Sequence, residues 1–130
     1  MRACDGHVEI INTQSLQSTV VNAMEMTLNK AKELVKELVK KQGFPHEKNA
    51  LSQKLLWAFV ELGEASDSYK KGKEWNVVVE ELMDVLFYIL DFVGIVEDAE
   101  KIELNLDRIF LNKWKINMKR PEKYGQSREI

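Results

Sequence analysis

Apolar residues at Leu28, Ala31, Leu34, Val35, Leu38 and Val39 recur every three or four positions, the period of one face of an α-helix. Ser15 or Ser18 offers the cap of such a helix, which is predicted to run to about Gln42. The stretch "GFPHEKN" ends it, with Gly43 suited to a left-handed cap and Pro45 blocking continuation. A second helix is expected from just after Asn49 to about Lys71, closed by Gly72, with "KGKEWN" as connector. A third covers roughly Asn76 to Val96, and a fourth runs from about Asp98 to Lys119, stopped by Pro121. Residues 1–14 form a lead-in in which "HVEII" reads equally as a short strand or as irregular chain, and residues 120–130 read as a mobile basic tail.

The third helix has an unusual pattern. Leu82, Met83, Val85, Leu86, Phe87, Ile89, Leu90, Phe92 and Val93 cover most of its circumference, more than a surface helix buries. Glu80, Glu81, Asp84, Tyr88 and Asp91 occupy the remaining arc of roughly 100°. Such a helix needs several neighbours, which in so short a chain implies self-association into a homodimer or homotetramer.

The 130 residues suit a single all-α domain, a helical bundle of four main helices, and two prolines and six glycines fit that class. Nineteen basic against 21 acidic residues give a net charge of −2, and no basic stretch offers a footprint for polymeric nucleic acid. The lone Cys4 cannot form an intrachain disulfide, the first residues lack the apolar run of a signal peptide, and no segment is apolar enough for a membrane span. The expected location is the cytoplasm.

Candidate chemistry lies in the carboxylates. Trp57, Glu61, Glu64 and Ser68 share a face of the second helix, and Glu81 and Asp84 share the stripe of the third. If the short connector makes these helices antiparallel, the two pairs converge on one groove. Crowded, partly buried carboxylates repel one another and need cations or protons. Oxygen-only ligands suit Mg²⁺, or Mn²⁺ as a substitute, and Mg²⁺ completes its shell with waters and phosphate oxygens, which implies a phosphorylated substrate. Glu-x-x-Glu spacing alone does not decide the matter, since Glu97, Glu100 and Glu103 repeat it; these three are assigned to the surface or to helix-start electrostatics. A di-iron bundle would require Glu-x-x-His, which is absent, and His46 is read as an exposed loop residue without metal duties.

The segment "ELGEASDSYKKGKEWNVVVEELMD" is a Glu-x-x-Glu and a Glu-x-x-Asp separated by 16 residues, and "KWKINMKRPEKYG" carries a Lys-x-x-x-Asn-x-x-Arg-Pro pattern. Together these resemble the MazG-like, all-α nucleoside triphosphate pyrophosphohydrolases over about residues 50–125. The resemblance implies hydrolysis of a nucleoside triphosphate to the monophosphate and pyrophosphate, with Mg²⁺ held by Glu61, Glu64, Glu81 and Asp84. It gives Lys113, Asn117 and Arg120 to the phosphates and makes Tyr88 a contact for base or sugar. Trp57 reads first as core, but the resemblance would make it a pocket wall. Trp75 and Trp114 are read as packing residues, and Tyr124 stands before Gly125 where histidine is common in the family.

Glu64 is the expected base for the attacking water. The rival reading is a non-catalytic helical oligomerisation or regulatory module whose acidic stripe is solvated or binds a protein.

Overall fold

The computed structural model describes residues 25–121. Four α-helices and no strand occur among them: α1 Leu28–Gln42, α2 Leu51–Lys70, α3 Trp75–Glu100 and α4 Leu106–Met118, with one 3₁₀ turn at Lys48–Ala50 ahead of α2. The all-α class is therefore as expected. The lead-in at 1–14, Ser15, Ser18, Tyr124 and all but the first two residues of the tail lie outside the described residues.

Three helix boundaries differ from expectation, each for a local reason. Thr27 is extended (φ −127°, ψ 170°) and its hydroxyl accepts the Lys30 N–H at 3.0 Å, so α1 starts at Leu28 under a threonine cap instead of far upstream. The third helix continues through Asp98 to Glu100, and Lys101 at φ 54° ends it in a left-handed cap. The fourth helix then begins only at Leu106, because Asn105 Oδ1 accepts the Arg108 N–H at 3.1 Å and fixes a new start. Gly43 caps α1 at φ 72°, as its lack of a β-carbon suits.

Helix α3 lies between α1 and α2, which do not touch each other, and α4 runs beside α1 and beside neither α2 nor α3. The starts of α1 and α4 are tied: Asp107 Oδ1 accepts Leu28 N–H at 3.0 Å, and Asn29 Oδ1 accepts Leu106 N–H at 2.7 Å. On the α1 side of α3 a small apolar core forms from Val35, Val39 and Leu90, flanked by Ala31, Leu86, Phe87 and Leu106. The stem of Lys36 crosses α3 at Gly94, where a β-carbon would come within 3.1 Å of Lys36 Cγ.

Glu97 is not a surface residue. It is buried at 5 % exposure and receives Lys32 Nζ at 2.6 Å, Lys36 Nζ at 2.7 Å and the Leu104 N–H at 2.8 Å. Asp98 beside it binds Lys36 at 2.9 Å and His46 Nε2 at 2.7 Å, so His46 anchors the loop after α1 instead of standing free. The extra turn of α3 exists to reach these partners on α1.

Helix α2 is built inside out. Its buried residues are Lys54, Glu61, Ala65 and Ser68, whereas Leu56 is 60 % and Phe59 71 % exposed. Three of four buried positions on the helix are thus polar, opposite to the usual pattern. No described helix is long and apolar enough to cross a membrane.

Candidate functional site

The polar residues buried on α2 stand seven apart at Lys54, Glu61 and Ser68, so two helical turns, about 10 Å, separate successive members. The antiparallel α3 meets them with residues of matching register. Lys54 Nζ lies 2.7 Å from Asp91 Oδ2 at one end, and Ser68 Oγ donates to Glu81 Oε1 at 2.5 Å at the other. Between them Tyr88 feels the charges of Glu61, Asp84 and Asp91. Burial first, then repulsion from these three carboxylates, raises the Tyr88 pKa and keeps its hydroxyl protonated as a donor.

Glu61 and Asp84 therefore belong to the same α2–α3 seam, and Glu64 and Glu81 line an open cavity of about 490 Å³ together with Asp67, Ser68 and Lys73. The four carboxylates singled out by their spacing all come to one interface. Glu61, Glu81 and Asp84 are buried and Glu64 is half-buried. Each takes part in a polar or electrostatic interaction within the chain. Among the described residues, no three carboxylate, histidine or cysteine side chains stand close enough together to hold a metal ion as they are. The donor chemistry fits a hard divalent cation, since every side chain of the set offers carboxylate oxygen. Assembling a shell requires their side chains to turn, with Glu81 leaving Ser68.

At the opposite end of the seam a smaller cavity of about 160 Å³ is bounded by Phe44, Pro45, Gln53, Lys54, Trp57 and Tyr88. Trp57 is 40 % exposed and forms a wall of this cavity, so it is not core. Trp75 and Trp114 are not packed inside either: both are more than half exposed, and Trp75 stands beside the ring of Tyr69, ring centres 6.0 Å apart.

Lys113, Asn117 and Arg120 are exposed, and α4 buries no residue. The helix ends at Met118, so Arg120 lies beyond it and does not extend the face of Lys113 and Asn117. Since α4 runs beside α1 alone, one chain does not lay this helix along the carboxylate seam. Sequence reasoning missed Lys54, Lys73 and Phe44. The signal for Lys54 was its seven-residue spacing from Glu61, which places it on the same helical face.

Comparison of the chain with protein-family models, with curated proteins and with solved structures gives no match.

Proposed function

We propose that the chain is a Mg²⁺-dependent nucleotide pyrophosphohydrolase that cleaves nucleoside triphosphates to the monophosphate and pyrophosphate. One observation carries the reading: two long helices turn carboxylates toward each other, Glu61 and the half-buried Glu64 from α2 and Glu81 and Asp84 from α3, while α2 leaves Leu55, Leu56, Phe59 and Leu62 exposed. Burying several like charges costs several kcal/mol per ion, in the range of about 3–5 kcal/mol when a partner is missing. A seam of this kind is retained for chemistry more readily than for stability. The resemblance in Glu-x-x-Glu, Glu-x-x-Asp and Lys-x-x-x-Asn-x-x-Arg-Pro points to the same chemistry.

Glu61, Glu64, Glu81 and Asp84 would hold the magnesium ion, which when bound acidifies water and neutralises phosphate charge. Glu64, the least buried of the four, accepts the proton of the attacking water. The new P–O bond forms at the α-phosphorus, the bond to the bridging oxygen breaks, and pyrophosphate leaves. The base lies in the aromatic cavity between Trp57 and Tyr88, and the triphosphate extends along the seam toward Glu64 and Glu81.

The chain works as a homodimer or homotetramer. Leu55, Leu56, Phe59 and Leu62 on α2 and Ile109, Phe110, Trp114 and Met118 on α4 are all exposed, a larger apolar area than a monomer ordinarily carries. Assembly covers these faces and brings Lys113, Asn117 and Arg120 of α4 to the phosphates of a neighbouring seam.

A panel of ordinary and modified nucleoside triphosphates assayed with Mg²⁺, with products identified, tests the reading. Monophosphate and pyrophosphate are expected. Orthophosphate as the sole primary product would contradict the cleavage position, and the absence of any coupled Mg²⁺ and nucleotide binding would favour a non-catalytic helical module.

A further inference from the structure

The ion pair between Lys54 and Asp91 has no place in the hydrolysis described above. Its two side chains are 6 % and 1 % exposed, and they meet where α2 crosses α3 beside the aromatic cavity. The contact is short at 2.7 Å but poorly aligned: neither carboxylate oxygen of Asp91 receives a hydrogen bond, although both are sealed from solvent. A buried carboxylate lacking aligned donors is costly in a finished protein and calls for an N–H that arrives with a ligand. Lys54 lines the cavity itself and its contact with Asp91 engages a single carboxylate oxygen, so the three-proton ammonium keeps donors to spare. Tyr88, held protonated, adds a hydroxyl on the cavity wall.

The cavity thus combines flat aromatic walls, a cationic donor and, behind that donor, an acceptor in need of an N–H. A nucleobase edge supplies the complement, an N–H next to a carbonyl or ring-nitrogen acceptor. At about 160 Å³ the space is roughly half that of the smallest ordinary ligand pockets, near 300 Å³, and suits one six-membered ring better than a fused pair. We propose that Lys54 and Asp91 read the edge of a pyrimidine base stacked between Trp57 and Tyr88, and that this pair makes the chain selective for pyrimidine nucleotides. Lys54 turns from Asp91 to donate to the base's carbonyl or ring nitrogen, which opens the sealed Asp91 behind it to accept from the adjacent N–H. This specificity rests on the nucleotide pyrophosphohydrolase reading above.

The test compares kcat/KM for CTP, UTP, ATP and GTP in the wild type and in the double variant K54M/D91L. Replacing both members of a buried pair with apolar residues of similar size commonly preserves folding, which circular dichroism checks. The wild type is expected to favour pyrimidines at least tenfold. In the double variant the pyrimidine-to-purine ratio is expected to fall about 10- to 100-fold, the factor of a charge-assisted hydrogen bond, with the loss concentrated in KM for pyrimidines. The isosteric Asp91→Asn gives a second reading and should lower the same ratio. Equal use of purines and pyrimidines by the wild type, or an unaltered ratio in both variants, overturns the base-reading role while leaving the hydrolase reading intact. A wild type that turns over no triphosphate removes the hydrolase reading and this inference with it.

Discussion

Lys32 Nζ lies 2.6 Å from Glu97 Oε2 in a nearly sealed contact that joins the first described helix to the end of the third. Burial alone would raise the Glu97 pKa, but hydrogen bonds from Lys32, Lys36 and the Leu104 backbone, with the Coulombic attraction of Lys32, hold it down to about 2. The unfolded chain titrates this group near the ordinary 4.5. A depressed folded pKa contributes stability that is complete above about pH 5 and fades as pH falls toward 2. Glu97→Gln should therefore destabilise the chain by about 3 kcal/mol at pH 7, since it leaves the buried Lys32 ammonium with the Leu104 carbonyl and no carboxylate and takes one of two carboxylates from Lys36, and should flatten the acid limb of the stability profile. Urea denaturation at pH 7 and pH 3 measures both effects; equal wild-type and variant stability at pH 7 would disprove the anchoring role.

Asp84 and Glu64 carry the sharpest test of the catalytic reading. Asp84→Asn keeps the shape of the side chain while removing a charge from the seam, so the helical circular-dichroism signal should persist. Mg²⁺-dependent pyrophosphate release should fall at least about 100-fold, as should that of Glu64→Gln, because loss of a positioned base typically costs 10²–10⁴. Unchanged turnover in Asp84→Asn takes that residue out of the mechanism.

Phe59, at 71 % exposure, sits at the middle of the apolar outer face of α2. Analytical ultracentrifugation at micromolar protein is expected to give a dimer or tetramer for the wild type. Phe59→Glu should shift the mass toward monomer, because a charge in an interface core must be desolvated without a partner. A monomeric wild type would count against assembly.

The helical class and the two carboxylate pairs were legible because both rest on local spacing: a 3.6-residue period reports which side chains share a face whatever lies across from them. The position of Glu97 was not legible, because its partners Lys32 and Lys36 are more than 60 residues away in sequence. The fourth helix was misplaced for a related reason. "DAEKIELN" continues the helical composition across Lys101, and the break there comes from a left-handed lysine and the Asn105 cap, neither of which carries a Gly or Pro signal. Lys54 was obscured by convention: a lysine in a leucine-rich helix reads as solvated, and only the buried Asp91 opposite explains why it points inward.

Trp57 and Tyr88 face one cavity from different helices, so their loss should affect binding in different ways. A stacked base gains on the order of 1–3 kcal/mol from an aromatic partner. Trp57→Ala should accordingly raise KM for the preferred triphosphate by about 5- to 100-fold, since the wall and its area vanish together. Tyr88→Phe retains the ring and removes only the hydroxyl, whose proton is kept in place by burial and then by the carboxylates Glu61, Asp84 and Asp91. The expected rise in KM is then about tenfold or less, the scale of one neutral hydrogen bond. Steady-state kinetics on both variants separates stacking from hydrogen bonding. A larger effect from Tyr88→Phe than from Trp57→Ala would mean that the hydroxyl works on the seam and its charges, not on the base.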